Sequence, residues 1–467
     1  MFKSLSKLSF TNLRTLFEKQ SVLKQQAIAG VLWSVGIHGA GAVVRMGSNL
    51  IMTRLLFPDL FGLMNLVYVF IMALHLFSDV GSAPTVIRSE RGDDPQLLNN
   101  VWTIQVIRGV VLWLGCLVLA MPAAHFYAEP KLTWLLPIVG LTSIIGGFHS
   151  TSTYTLVRRM ELGRQSRFDL QNQIISAVLM IALAWFNRNI WALVIGYLLS
   201  DVIKTVRSHF LIPNYHNRLT WDWPIIKEIS VFGRWILLST MLTFLAGQVD
   251  KLLVGKMLSW SFLGIYGIVL ALSEIPRIII ERIAAQVIFP AVSKLIELPR
   301  ATLQQKLLSN RRPVLIAMSF ALAILVSFGD LLVLFMYDNR YTQGAWMLPL
   351  VALGMWPNVL FQTLYPVLLA LNKPQYQTWG NFGKFLFTGL GLPLGFAHFG
   401  VAGVILVVAL NDLPLYSAVA YGLWREQITS VQQDLGATAL FVGLLAGILS
   451  LRYGFGFGLP IDRLWAT

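Results

Sequence analysis

Thirteen apolar runs of helical length dominate this chain, and the polar segments between them are short. The runs cover residues 27–52, 61–82, 98–122, 131–156, 169–187, 189–210, 229–254, 261–289, 313–336, 345–371, 376–397, 400–424 and 436–456. About 20 apolar residues in a helix cross the hydrocarbon core of a bilayer. Lipid offers no partner to backbone N–H and C=O groups, so runs of this length form helices. The pattern predicts an all-α polytopic membrane protein with about 12–14 transmembrane helices.

The composition supports this class. Hydrophobic residues make up 56% of the 467 residues and charged residues only 12%, whereas soluble domains carry about 25% charged residues. The formal net charge is +14, but the basic residues lie between apolar runs, where they set topology and attract anionic lipid rather than nucleic acid. The single cysteine, Cys116, lies in an apolar run, and the histidines lack metal-ligand spacing. We therefore expect no disulfide, metal or cofactor.

Lysine and arginine are concentrated in alternate loops. The rich set contains Arg88, Arg91, Arg158, Arg159, Arg164, Arg167, Lys204, Arg207, Arg218, Lys227, Lys294, Arg300, Lys306, Arg311, Arg312, Lys373 and Arg425. The other set has little more than Arg54, Lys131, Arg188, Lys256, Arg340 and Arg463. By the positive-inside rule the rich loops and the N-terminus are cytoplasmic. An odd number of spans then places the C-terminus outside.

The chain also contains an internal echo. The segment from Thr53 to Leu63 matches Gly255 to Ile265 without a gap, and in the same register Trp33 falls against Trp235. Because transporters are often built from repeated halves, the echo predicts two pseudo-repeated six-helix lobes. The predicted division is a cytoplasmic amphipathic segment 1–26, an N-lobe 27–210, a cytoplasmic linker 211–228, a C-lobe 229–424, and an extra C-terminal helix and tail 425–467.

The sequence offers no place for an enzymatic domain. No predicted loop is long enough for a soluble catalytic domain. A Walker A motif is also absent from the sequence, which excludes an ATP-driven pump in this chain. We expect a protein that is not an enzyme.

A succession of short motifs resembles one family. The segment Thr53-Arg-Leu-Leu-Phe-Pro-Asp-Leu-Phe-Gly62 is similar to the signature of the polysaccharide-biosynthesis flippases. Further motifs follow in the same order: Phe77-Ser-Asp-Val-Gly81 with Arg88, Leu156-Val-Arg-Arg-Met160, Phe232-Gly-Arg-Trp235, Asp250-Lys-Leu-Leu-Val254 and Phe289-Pro-Ala-Val-Ser293. The resemblance implies the multidrug/oligosaccharidyl-lipid/polysaccharide exporter fold, with two lobes around a cavity that opens alternately to each side. It also implies transport of lipid-pyrophosphate-linked oligosaccharide from the cytoplasmic to the outer leaflet.

Such a substrate carries an anionic pyrophosphate, which arginine binds bidentately and without losing its charge. An ionisable residue within a span is costly unless it faces a cavity or a partner. The substrate-binding candidates are therefore Arg45, Arg277, Arg108 and Lys384. Each of two arginines also has a structural alternative. Arg45 could extend to the outer headgroups. Arg277 could belong to a self-neutralised network with Glu274 and Glu281, which lie one helical turn away.

Acidic residues within the spans are candidates for binding a coupling proton or cation. These are Glu274, beside Arg277 and Pro276, and Asp201 and Asp412, at corresponding depths of the two predicted lobes. A simple ion pair of Asp201 with Lys204 or Arg207, one turn below, is the structural alternative.

Two other functions remain open. A cation-coupled multidrug exporter uses the same fold, although an excess of basic over acidic residues in the spans argues against it. A membrane-embedded glycan polymerase needs a large outer loop, which is not predicted here. The resemblance implies a bacterial inner-membrane location, a polyprenyl-pyrophosphate substrate, and a glycan polymerase and chain-length regulator as partners.

Overall fold

The computed structural model describes residues 37, 39–78, 81–89, 91–213 and 215–466. The predicted amphipathic segment 1–26 and Trp33 lie outside the described residues. No β-strand occurs among the residues described. Eight helical runs in this part of the chain are long and apolar enough to cross a membrane, or nine if one bent helix pair counts as a span. The protein is an all-α, multi-pass membrane protein.

A helix lies at every predicted span, although only residue 37 and residues 39–52 of the first span are described. The helices are α1 (helical residues 39–55), α2 (Pro58–Phe77), α3 (Ser82–Arg88), α4 (Pro95–Tyr127), α5 (Leu132–Gly147), α6 (Ser152–Arg158), α7 (Leu162–Phe186), α8 (Ile190–Ser208), α9 (Trp223–Met257), α10 (Trp260–Ile283), α11 (Phe289–Ser293), α12 (Arg300–Met336), α13 (Gly344–Ala370), α14 (Gln375–Leu410), α15 (Leu413–Arg425), α16 (Val431–Gly454) and α17 (Asp462–Ala466).

Helix α14 is two antiparallel arms joined at Gly400. This residue has φ 57° and ψ −141°, a conformation that glycine adopts at little cost. The arms approach closely, since a Cβ on Gly403 would lie 2.0 Å from the carbonyl oxygen of Gly395. The arms correspond to the predicted spans 376–397 and 400–424, and the second continues through Asn411 and Asp412 into α15.

The chain forms two compact units. The first contains the described residues up to Met52 with Gly81–Val111 and Leu141–Phe232; the second contains Thr53–Val80, Leu112–Gly140 and Gly233–Thr467. Within the second unit, α13 is the most enclosed candidate span, with 83% of its apolar window buried. The division into two six-helix lobes stays a prediction.

The two echoed segments form the same corner and pack against each other. Each is a helix end, a two-residue break and a new helix, at Leu56–Phe57 and at Leu258–Ser259. A Cβ on Gly62 would lie 1.9 Å from the carbonyl oxygen of Trp260, and one on Gly264 would lie 1.9 Å from that of Pro58. The two contacts are equivalent, because Gly62 corresponds to Gly264 and Pro58 to Trp260 in the alignment of the two repeated segments. The two glycines thus allow α2 and α10 to meet backbone to backbone.

Two buried ion pairs fix the C-terminal helix α16 to α12. Arg311 Nη1 lies 2.5 Å from Asp434 Oδ1, and the side chains are 1% and 3% exposed. Arg452 binds Asp330 bidentately, with both N–O distances 2.6 Å and both side chains fully buried. The pairs are 19 residues apart on α12, or about 28 Å, so the two helices run parallel. Arg311, which we expected to be a loop charge, is therefore a buried residue within α12, because this helix begins at Arg300.

In the first unit, the Arg158-Arg159 motif holds the loop after α3. Arg158 Nη1 donates to the carbonyl oxygens of Val86 and Ile87, both at 3.3 Å, and both arginines donate to Asp93 at 3.0–3.1 Å. Burial raises the pKa of Asp93, but these hydrogen bonds and charges outweigh it and leave the pKa below its usual value. Arg158 thus caps the C-terminal end of α3 by binding its last carbonyl groups.

We predict that Gly62→Ala destabilises the protein by at least about 1–3 kcal/mol, because the new methyl group meets a backbone carbonyl that cannot rotate away. Gly443→Ala is the control, since a Cβ there meets nothing within 4 Å. The measurement is the thermal unfolding midpoint in detergent. Equal midpoints for the two variants would contradict the close contact of α2 and α10.

We further predict that Arg452→Ala costs about 3–5 kcal/mol, because it leaves Asp330 buried without its main partner. The double variant Asp330→Leu/Arg452→Met removes both charges, and its stability should return close to that of the parent protein. Thermal unfolding of the single variants Asp330→Leu and Arg452→Met and of the double variant tests the coupling. Additive losses in the double variant would show that the pair is not coupled.

Candidate functional site

The second unit contains a cavity of about 460 Å³ within its helices, lined by both polar and apolar side chains. Side chains from α9, α10, α13 and α14 line it, together with Asp412 from the break before α15. Its polar lining consists of Thr243, Arg277, Glu281, Asn358, Gln362, Tyr365, Gln377, Asn381, Lys384 and Asp412. Three predicted site residues, Arg277, Lys384 and Asp412, therefore line one cavity.

One side of the cavity is a buried ion pair. Lys384 Nζ donates to Asp412 Oδ1 at 2.6 Å, and Asn358 Nδ2 donates to Asp412 Oδ2 at 3.0 Å. The Lys384 and Asp412 side chains are 11% and 2% exposed. Gly380, one turn before Lys384, makes the approach possible, because a Cβ there would lie 3.1 Å from Cα of Leu415. The small residue lets α14 and α15 close on the pair.

The other charged side of the cavity is more accessible. Arg277 Nε donates to Glu281 Oε1 at 2.9 Å, and Nη1 lies 3.8 Å from Glu274 Oε1. Gln362 Nε2 also donates to Glu281 Oε1, at 3.0 Å. The three charged side chains are 36–44% exposed, so solvent or a ligand can reach them. Glu274 joins the site through Arg277, which is the pairing expected from the helical spacing.

Helix α10 changes its winding immediately after this network. Pro276 lies inside the helix, and a π-helical turn, Ala284–Ile288, follows Glu281. Ala284 and Ala285 of this turn line the cavity. Turns of this kind are frequent at functional sites, and the wider winding alters which residues face inward. The turn lies where α10 passes the cavity.

The cavity is charge-balanced. Arg277 and Lys384 face Glu281 and Asp412, and Glu274 adds a further carboxylate beside Arg277. An anion that binds Arg277 here must displace a carboxylate or bind when that carboxylate is neutralised. The arrangement therefore suits exchange between an anionic ligand and a negatively charged side chain that can take up a proton. Among the described residues, no cluster of His, Cys, Asp and Glu suits a metal.

The other three candidates belong to the first unit. Arg45 on α1 is exposed, with Nη1 3.5 Å from Gln173 Oε1. Arg108 on α4 is half-buried and has an interaction partner. Asp201 on α8 is half-buried and interacts electrostatically with Lys204. Arg207, the alternative partner of Asp201, donates instead to Asn172 and Gln171.

Sequence reasoning did not select two amide side chains of the cavity, Asn358 and Gln362. They lie four residues apart on α13 and face the same side. Amides in an otherwise apolar run were the available signal, since a polar group in a membrane helix needs a partner. Whether such amides line a cavity depends on which helices pack against α13, and the apolar sequence of α13 alone does not show this.

Residues 51–345 match the model of the polysaccharide biosynthesis protein family. The chain belongs to this family. It is 23% identical to the teichuronic acid biosynthesis protein TuaB of Bacillus subtilis over 320 residues. These residues cover 67% of this chain and 65% of TuaB. It is 22% identical over 288 residues to the succinoglycan biosynthesis transport protein ExoT of Rhizobium meliloti, covering 60% of this chain and 58% of ExoT. The chain thus spans less than two thirds of the length of either relative, 65% of TuaB and 58% of ExoT.

The fold is similar to that of a solved structure, the lipid II flippase MurJ in an inward closed conformation. The TM-score is 0.68 at 11% sequence identity, over 91% of this chain and 92% of that chain. This likeness shows that the chain shares the all-α fold of that structure.

We predict that Asn381→Cys, in the cavity, reacts with a charged, water-soluble thiol reagent at least about tenfold faster than Leu390→Cys on the same helix. Leu390 is 66% exposed on the outer surface of its arm, where lipid disfavours the reactive thiolate. The native Cys116 is buried and gives little background. Labelling followed by mass analysis measures the ratio; equal rates would contradict a water-accessible cavity.

Proposed function

We propose that this protein is a flippase that moves a lipid-pyrophosphate-linked oligosaccharide from the cytoplasmic to the outer leaflet by alternating access, for cell-surface polysaccharide biosynthesis. The observation that carries the proposal is a cavity between candidate membrane helices that is lined by an accessible arginine, Arg277, in a chain of the polysaccharide biosynthesis family. The names of the similar proteins also support the proposal, since TuaB and ExoT are both named for polysaccharide biosynthesis and ExoT is named a transport protein. The implied location is the bacterial inner membrane.

In the proposed cycle, Arg277 binds the pyrophosphate through its planar fork. Its present partners are Glu281 at 2.9 Å and Glu274 at 3.8 Å. Protonation of a carboxylate releases Arg277 for the phosphate, and loss of the proton returns the arginine to its partner and expels the substrate. Glu281 takes the larger role because it is the closer partner, with Glu274 assisting.

Lys384, in the first arm of α14, and Asp412, at the break between α14 and α15, form a second ion pair. The pair is more buried than Arg277, so separating it costs more free energy. We propose that Lys384 contributes positive potential to the cavity and that Asp412 responds to the charge of the bound ligand. Arg45, Arg108 and Asp201 stay candidates for substrate or coupling-ion contact from the first unit.

A cation-coupled multidrug exporter is the second candidate function, and one observation favours it. The cavity has as many acids as bases, and Glu274 adds a further acid, so an organic cation is a possible ligand. Family membership favours the flippase. A glycan polymerase finds no comparable support, and a polymerase and a chain-length regulator are instead proposed as partners of the flippase.

We predict that Arg277→Ala abolishes surface glycan export in cells lacking the native gene, while Arg277→Lys retains part of it, because lysine keeps the charge but loses the bidentate geometry. The matched control is Arg282→Ala, on the same helix but outside the cavity lining. The measurement is the amount of lipid-pyrophosphate oligosaccharide in lipid extracts. Arg45→Ala is tested in parallel for the first unit.

Accumulation of the lipid-linked oligosaccharide with Arg277→Ala but not with Arg282→Ala is the expected result. Normal export by Arg277→Ala, with the protein inserted at parent level, would contradict the assignment of Arg277. Absence of accumulation in cells without the gene, with changed sensitivity to cationic drugs, would favour the multidrug exporter and direct attention to Glu281 and Glu274.

A further inference from the structure

The first unit contains a second, open cavity of about 670 Å³, formed where α7 begins and α8 ends. Arg164, Arg167 and Arg207 line it, and the only acidic side chain among its lining residues is Glu161. The lining therefore has a formal excess of two positive charges. None of these residues belongs to the proposed transport cavity.

Neutral groups hold the innermost arginine. Arg207 Nη1 donates to Asn172 Oδ1 and Nη2 to Gln171 Oε1, both at 2.5 Å. Its guanidinium lies 5.6 Å from the centre of the Phe168 ring, within the range of a cation–π contact. Amide oxygens and an aromatic face orient the fork without cancelling its charge. A positive group fixed in this way is prepared for an anion.

The outer two arginines are accessible from the cavity. Arg164 donates to the carbonyl oxygen of Leu211 and lies 3.6 Å from Glu161 Oε2. Arg167 is exposed, with one long hydrogen bond of 3.4 Å to the carbonyl oxygen of Gly163. In the described part of the chain, Arg164 is the only one of the three arginines that lies within ion-pair distance of a carboxylate.

One large apolar side chain lies among the exposed residues that line the cavity. Phe210 is 79% exposed at its edge, and α7, which begins at Leu162, is a candidate membrane span. The site thus lies at the end of a span, on the side that the positive-inside rule predicts to be cytoplasmic. A phosphate contact beside an exposed aromatic ring matches a lipid headgroup with its acyl chains in the adjacent membrane.

We propose that this cavity binds the phosphodiester headgroup of an anionic phospholipid from the cytoplasmic leaflet. Arg207 provides the fixed bidentate contact, Arg164 and Arg167 add charge, and Phe210 packs against the glycerol and upper acyl chain. A soluble phosphate would use the same arginines but would not need the exposed ring of Phe210. The inference is independent of the transported substrate.

The test is native mass spectrometry of the full chain in detergent, titrated with phosphatidylglycerol or phosphatidylcholine. The expected result is roughly tenfold tighter binding of phosphatidylglycerol, lost in Arg164→Gln/Arg167→Gln. Arg188→Gln is the matched control, because Arg188 is an exposed arginine between α7 and α8 and outside the cavity lining. It should bind like the parent protein. Arg207→Lys keeps the charge without the fork and should bind with intermediate affinity.

A third arm adds inorganic phosphate at millimolar concentration. No displacement of phosphatidylglycerol is expected; displacement of the lipid would assign the site to a soluble phosphate and overturn the phospholipid proposal. Equal affinity for the two lipids, or unchanged binding by the double variant, would also overturn it. Thermal unfolding without lipid checks folding, and the single variant Arg167→Gln gives the readout if the double variant is unstable.

Discussion

A charged side chain in the interior of a membrane protein needs a partner, and this requirement organises the second unit. Arg311 pairs with Asp434, Arg452 with Asp330, and Lys384 with Asp412, and all six side chains are at most 11% exposed. The first two pairs join helices that are more than 100 residues apart in the sequence, and the third joins α14 to the break that follows it. Since removing one partner leaves an uncompensated charge, the pairs specify which helices are neighbours.

The same rule separates structural charges from functional ones. The two pairs between α12 and α16 are sealed from solvent and lie about 28 Å apart along the helices, which suits an anchor for the C-terminal helix. The network of Arg277, Glu281 and Glu274 is paired as well, but its side chains are 36–44% exposed, and Arg277 and Glu281 line the cavity. Pairing keeps these charges inside the protein, and exposure allows them to exchange partners. The proposed transport cycle depends on that difference.

Much of the fold was predictable from the sequence, because the bilayer imposes a length and an apolarity that each run shows by itself. Predicted spans 376–397 and 400–424 are confirmed by the reversal at Gly400, and the pairing of Arg277 with its neighbours followed from helical spacing. Arg311 was misread because it stands beside Arg312 in a basic stretch that resembles a loop. Its partner is 123 residues away, and local sequence carries no signal of that distance.

The sequence by itself determined the class of protein, the positions of its helices and the family, since these depend on local apolarity, turn residues and ordered motifs. It also identified Arg277, Lys384 and Asp412 as charges that require an explanation. Only the tertiary structure decided that Lys384 and Asp412 neutralise each other, that Asn358 and Gln362 complete the cavity, and that the two echoed corners pack reciprocally at Gly62 and Gly264. The physical reason is that the free energy of a buried charge or a close backbone contact depends on the opposing helix, which the fold alone specifies.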